Sequence, residues 1–287
     1  HLIAATTKGA PDEFVHHPAG PWQGQPWDLS ELICKKCGLS GSAVTVSAAC
    51  ASGTMAVIQG TLRLQRNESK AVLVVGIDIL SRFVLSGFAG LKALSPGLCR
   101  PFDQDRNGLC LGEGAGLALL MTEEEAVDRG LRPLARISGC GSACDASHIT
   151  APCRQATGLI AAIRQATQNG RLRVGAVHAH GTGTLHNDAM EMTAFSSCWE
   201  NQVPPFHSVK GAIGHTLGAA GVIETAIAIK SLQSGFVPPT VGLVSPEVRC
   251  KEALTGSSPL PLVYPSILKC NSGFGGINAA LLLEAFE

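Results

Sequence analysis

The chain has 287 residues, 45% of them hydrophobic and only 15% charged, and its 22 basic and 22 acidic residues balance to a formal net charge of zero. That balance excludes bulk attraction to nucleic acid, and no apolar run is long enough to span a bilayer. Eleven cysteines without the spacing of a small disulfide scaffold point to a reducing compartment, the cytoplasm, and the opening His1-Leu2-Ile3-Ala4-Ala5-Thr6-Thr7-Lys8 does not read as a signal peptide.

In chain order, Cys34-Lys35-Lys36-Cys37 has zinc-ligand spacing, but no second Cys or His pair follows at the usual separation, so no four-ligand site is specified. Next, Val46-Ser47-Ala48-Ala49-Cys50-Ala51-Ser52-Gly53-Thr54 passes from a β-branched run into a helix rich in small and apolar residues. A thiol at the first turn of a helix feels the partial positive charge of free N–H groups, which favours the thiolate nucleophile. The plainer reading of Cys50 is a small buried hydrophobe, as free cysteines often are. Arg63, Arg66 and Lys70 on the following helix form either a local basic patch or a solvated face.

Ala71 to Ile77 reads as a strand, and Gly114 to Met121 as another. Between them, Asp103-Gln104-Asp105-Arg106-Asn107-Gly108 imitates a calcium loop, yet the twelfth position is Gly114 instead of glutamate and a strand follows where a helix is needed. The apolar stretch Val174-Gly175-Ala176-Val177 then runs into His178-Ala179-His180-Gly181-Thr182-Gly183-Thr184, placing His180 at a strand end. Ser208 to Gly221 repeats the pattern: short strand, glycine turn bearing His215, and a small-residue helix carrying Glu224. Cys270 to Asn278 reads as a glycine-rich turn ahead of the strand Ala279 to Leu283, with N–H groups able to bind an oxyanion. Strands alternating with helices near 156–169 and 219–234 predict parallel sheets covered by helices.

These elements, together with Arg100-Pro101-Phe102-Asp103 and Gly112-Glu113-Gly114-Ala115-Gly116, resemble the β-ketoacyl synthase branch of the thiolase-like superfamily. The resemblance implies an α/β, layered αβαβα fold with one half at 1–130 carrying the cysteine and another at 131–287 carrying the histidines. It implies that Cys50 accepts an acyl chain from a carrier-protein thioester and that His180 and His215 drive decarboxylation of a malonyl thioester, with no cofactor or metal. Lys210 would pair with Glu224 beside the second histidine, and the N–H groups of Cys50 and Phe274 would hold the tetrahedral oxygen. Thr182, Thr184 and Thr150 match positions that bond the pantetheine arm, Phe274 a gating phenylalanine, Phe88 an aromatic near the acyl pocket, and Lys92 a contact to an acidic acyl carrier protein.

Against the family, the chain begins at what resembles the third strand of the first half, so that half is expected to lack strands and to leave a sheet edge and apolar surface unpaired. Lys8 falls near a position controlling acyl access, or is an ordinary surface lysine. The expected assembly is a homodimer or a heterodimer with a synthase subunit. Two alternatives stand beside the condensing enzyme: a non-catalytic, chain-length-determining partner, and a coenzyme A-dependent thiolase, which would need a cysteine at the Phe274 turn where this chain has Cys270 four residues early.

Overall fold

A computed structural model describes residues 1–13, 24–200, 202–247 and 251–286. Two mixed sheets stack with helices between and outside them. In the first sheet the order is β2 (Ala43–Val46), β1 (Leu2–Ala5), β3 (Ala71–Asp78), β4 (Gly114–Met121). The first three strands run parallel and β4 is antiparallel to β3. β1 is buried along its whole length, as a continuous apolar run in a parallel sheet must be.

The second sheet has the order β5 (Ala135–Cys144), β11 (Ile277–Ala285), β10 (Ser266–Gly273), β6 (Ala176–His178), β7 (Phe206–His207), and β8 (Phe236–Val237) pairs separately with β9 (Leu260–Pro261). Here β6 is parallel to both neighbours, whereas β11 is antiparallel to both β10 and β5. The expectation of parallel sheets therefore holds for only part of each. A hairpin through 274–276 supplies the β10–β11 pair, while β3–β4 and β5–β11 join strands distant in sequence.

Helices α1 (Asp28–Cys37), α2 (Ser52–Gln65), α3 (Arg82–Gly90), α4 (Glu123–Asp128), α5 (Thr157–Ala166), α6 (Leu185–Trp199), α7 (Lys210–Ile213) and α8 (Ala220–Ser234) fill the layers. α2 and α8 contact each other and both sheets, α1 covers the outer face of the first sheet, and α5 with α6 covers the outer face of the second. The result is the expected five-layer αβαβα stack. The middle layer is thin because Gly53 and Gly221 let two backbones touch: a Cβ on Gly221 would lie 2.1 Å from the Thr54 nitrogen, and one on Gly53 2.8 Å from the Val222 nitrogen. Ile3, Ala5, Val57, Val74, Val222 and Leu281 pack around this crossing.

β1 is hydrogen-bonded on both sides, Ala5 lying opposite Val46 and Gly76, while Leu117 and Leu119 on the edge strand β4 stay 66% and 57% exposed. One expectation is corrected here. Lys8 is neither a surface residue nor free: its Nζ lies 2.9 Å from Asp78 Oδ1, with side chains 9% and 0% exposed. That aspartate also accepts from Thr6 Oγ1, Thr7 N and Oγ1, and Gly218 N, tying the ends of β1 and β3 to the turn before α8. The calcium-like Asp103 is likewise structural, its carboxylate accepting from Val244 N and Ser245 N at 2.7 Å.

Candidate active site

Cys50 sits on a sharp elbow between β2 and α2. Ala49 before it has φ +47°, a left-handed conformation that costs an L-residue about 1 kcal/mol. Ser52 holds the elbow shut, its hydroxyl donating to Ala49 O at 2.5 Å and accepting from Ala48 N at 2.8 Å. Small residues are needed because the hairpin between β10 and β11 presses on the elbow: a Cβ on Gly273 would lie 3.1 Å from the Cys50 nitrogen. This contact brings the start of the Phe274 turn against the Cys50 backbone.

His180 leaves the end of β6 on a loop pinned by two buried carboxylates of α6. Glu191 accepts from His180 N at 2.6 Å and Gly181 N at 2.7 Å; Asp188 accepts from Thr182 N at 3.0 Å. Burial, with Asp188 nearby, pushes the Glu191 carboxyl up to about 8. His215 sits in the turn after α7, clamped by His215 N donating to Cys110 O at 2.7 Å and Gly112 N donating to His215 O at 3.0 Å.

The Cys50 Sγ and imidazole nitrogens of His180 and His215 lie within 4.8 Å of one another, and all three residues are buried. Hydrogen bonding assigns the tautomers. Leu217 N donates to His215 Nδ1 at 3.2 Å, and Asn271 Nδ2 lies 3.0 Å from His180 Nδ1, with Lys210 Nζ at 3.3 Å. Both Nδ1 atoms are thus acceptors, leaving Nε2–H as the donor on each ring. Among described residues His215 Nε2 has no partner, so a buried donor faces the cavity awaiting an acceptor. By distance alone the three side chains could hold a metal, but two N–H donors and a protonated thiol offer an anion site instead of ligand lone pairs.

Burial and then Lys210 bring the His215 imidazole down to about 3 and hold His180 well below the usual range, so both rings are neutral at pH 7. The expected thiolate at Cys50 is not found. Burial pushes the thiol up to about 12, outweighing Lys210 and the cysteine's own amide, which pull the other way. Desolvation of the anion exceeds what a helix start returns.

Behind the histidines lies a buried polar cluster that the sequence reading covered only in part. Lys210 Nζ contacts Glu224 Oε1 and donates to His180 O at 2.5 Å. Burial alone would raise the Glu224 carboxyl, but Lys210 and Lys269 beside it hold it below the usual carboxylate range. Lys269, Asn271 and Thr54 complete the cluster, and none was anticipated. A lysine inside the apolar run Ile267-Leu268-Lys269-Cys270 was the available signal, since a charge in a buried strand must be paired.

The three side chains open into a cavity of ≈ 350 Å³ whose lining includes Phe88, Lys92, Thr150, Thr182, Thr184 and Phe274. The Phe88 and Phe274 rings stack at 5.7 Å, and the Thr182 and Thr184 hydroxyls are bonded at 2.9 Å. Lys92 is exposed, with φ +53°. Lys210 and Glu224 stand behind the histidines instead of lining the cavity.

A buried thiol on an elbow, two imidazole donors and a two-sheet αβαβα stack define a thiolase-like fold. Family profiles described as the beta-ketoacyl synthase N-terminal domain and C-terminal domain match residues 7–126 and 134–244. The chain is 33% identical over 249 residues to 3-oxoacyl-[acyl-carrier-protein] synthase 2 of Mycobacterium tuberculosis, covering 83% of this chain and 60% of that protein. A β-ketoacyl synthase from Burkholderia phymatum superposes with TM-score 0.92 at 28% identity, covering 100% of this chain and 75% of the other. A ketosynthase in complex with its chain length factor from Xenorhabdus doucetiae gives TM-score 0.85 at 30% identity, covering 99% and 74%. The chain belongs to the β-ketoacyl synthase family, and spans about 60% of the length of the curated synthase it matches.

Proposed function

We propose that the protein catalyses decarboxylative condensation of an acyl thioester with a malonyl thioester on acyl carrier protein. The observation that carries this is the pair of neutral imidazoles aimed with Cys50 at one point. Cys50 exchanges its S–H for the acyl group of the incoming thioester, releasing the carrier thiol, so no net proton moves. The N–H groups of Cys50 and Phe274 hold the tetrahedral oxygen in that step. When the malonyl unit then loses carbon dioxide, negative charge builds on its thioester oxygen, and the Nε2–H groups of His180 and His215 stabilise that enolate. The enolate carbon attacks the acyl carbonyl, and the departing Cys50 sulfur takes up a proton.

Thr182, Thr184 and Thr150 serve the pantetheine arm, Phe274 and Phe88 close over the acyl chain, and Lys92 meets an acidic carrier at the mouth. Lys210 and Glu224 fix the surroundings of both histidines. Assembly as a homodimer, or with a synthase subunit as in the Xenorhabdus complex, fits this reading, as does residence in the cytoplasm; among described residues no helix is long and apolar enough to cross a membrane. A chain-length partner would have no use for an intact thiol and two aligned donors. Carbon dioxide release from malonyl-carrier protein tests the proposal: His215→Leu removes a donor and is expected to slow release by about 100-fold. Equal release from both proteins would contradict it.

A further inference from the structure

The cluster behind His180 holds two buried ammonium groups and one carboxylate. Lys210 Nζ contacts Glu224 Oε1, while Lys269 Nζ lies 3.6 Å from Glu224 Oε2. Lys269 is 0% exposed in the middle of β10, and it also donates to Thr54 Oγ1 and to Asn271 Oδ1. A lysine has donors only, so it fixes which end of the Asn271 amide is oxygen. The amide nitrogen consequently faces Glu224 Oε2 at 2.8 Å and His180 Nδ1 at 3.0 Å. Lys210, sharing its carboxylate with a second cation, keeps its remaining donors for His180 O and Nδ1.

We propose that Lys269 is a positioning residue for His180: it leaves the cluster one positive charge in excess and orients Asn271, so that His180 presents Nε2–H to the cavity. An oxygen gaining negative charge at that proton then sees both a donor and a net cation behind it. This rests on the condensing reading for its catalytic consequence, though not for its effect on the ring. The charged and titratable groups facing Lys269 are Glu224 from α8, Lys210 from α7, His178 opposite it on β6, His180 just after β6, and Cys270 beside it on its own strand. Burial brings the Lys269 ammonium down to about 8 against the upward pull of Glu224. Above that pH its neutral amine can accept as well as donate, and Asn271 is free to turn.

The test uses the whole chain and Lys269→Gln, which keeps N–H donors and removes the charge. Carbon dioxide release from malonyl-carrier protein is expected to fall at least about 10-fold in kcat, with KM within about twofold, because the contribution is to the transition state. The unmutated chain is expected to show release declining above about pH 8, and the variant to lose that decline. Independently, the ¹⁵N signals of His180, assigned by comparison with His180→Gln, are expected to titrate at a higher pH in Lys269→Gln, since after burial, Lys210 and His215 it is Lys269 that helps hold this ring below its usual range. If Lys269→Gln does not fold, the same ¹⁵N signals followed in the unmutated chain from pH 7 to 9.5 serve instead, and are expected to move near pH 8. An unmoved His180 titration overturns the proposal. No carbon dioxide from the unmutated chain, with the His180 shift still present, overturns the condensing reading alone.

Discussion

At the scale of single residues, the site separates placement from ionisation. Cys50 is held where a nucleophile belongs, yet burial pushes its thiol up to about 12. The thiolate fraction therefore rises tenfold per pH unit through the whole neutral range, with no plateau below about pH 10. Iodoacetamide labelling of Cys50, followed by peptide mass between pH 6 and 10, is expected to show that steady climb, whereas a plateau near pH 7 to 8 would contradict it. The histidines show the converse logic. Burial and Lys210 keep both rings neutral, and because their folded values are depressed they stay donors down to acidic pH. Sequence placed Cys50, His180 and His215 at turns because their neighbours are small or glycine, and the structure brings those three together. Asn271 was missed because Cys270 to Asn278 reads as one turn, whereas β10 continues to Gly273 and only 274–276 turns, and Lys269 because the strand leading into that turn was not recognised. A residue on a buried strand declares its partners only once the strands are paired.

At the scale of elements, the site depends on how closely α2 and α8 cross, since α2 carries Thr54 just after Cys50 and α8 carries Glu224. Gly221→Ala would place a methyl 2.1 Å from the Thr54 nitrogen, backbone that cannot step aside. It is expected to destabilise the protein by about 3 kcal/mol, the upper range for overpacking. Gly87→Ala in α3 has nothing within 4 Å and is expected to stabilise by about 0.5–1 kcal/mol through helix propensity. Urea midpoints of the two variants check the contrast; equal shifts would contradict the close-crossing account. Strand β4 matched its predicted bounds, Gly114 to Met121, because it is a single apolar run with clear ends. β5 was not anticipated, since Ala135-Arg136-Ile137-Ser138-Gly139-Cys140-Gly141 shows neither a β-branched run nor a strict alternation. Its glycines serve packing: a Cβ on Gly139 or Gly141 would meet Ala166 O or Ala162 O of α5 within 2.0 Å.

At the scale of the whole molecule, a net charge of zero leaves little long-range field to steer a charged partner, so the proposed carrier recognition rests on local charge at the cavity mouth. Lys92→Glu is expected to raise KM for an acyl-carrier thioester about fivefold while leaving a small free thioester unaffected, one exposed charge contact being worth about 1 kcal/mol. Equal effects on both substrates would place Lys92 outside carrier recognition. The layer architecture was legible from strand–helix alternation and from the family resemblance; the mixed strand directions were not, because direction is set by which strands pair and not by their composition. The central claim is that Cys50, set between two imidazole donors, carries the acyl group. The most direct measurement is the intact mass of the chain after incubation with an acyl-carrier thioester, beside Cys50→Ala. One acyl adduct that disappears in Cys50→Ala is the predicted result; no adduct on the folded chain, or an adduct that survives the substitution, would contradict it.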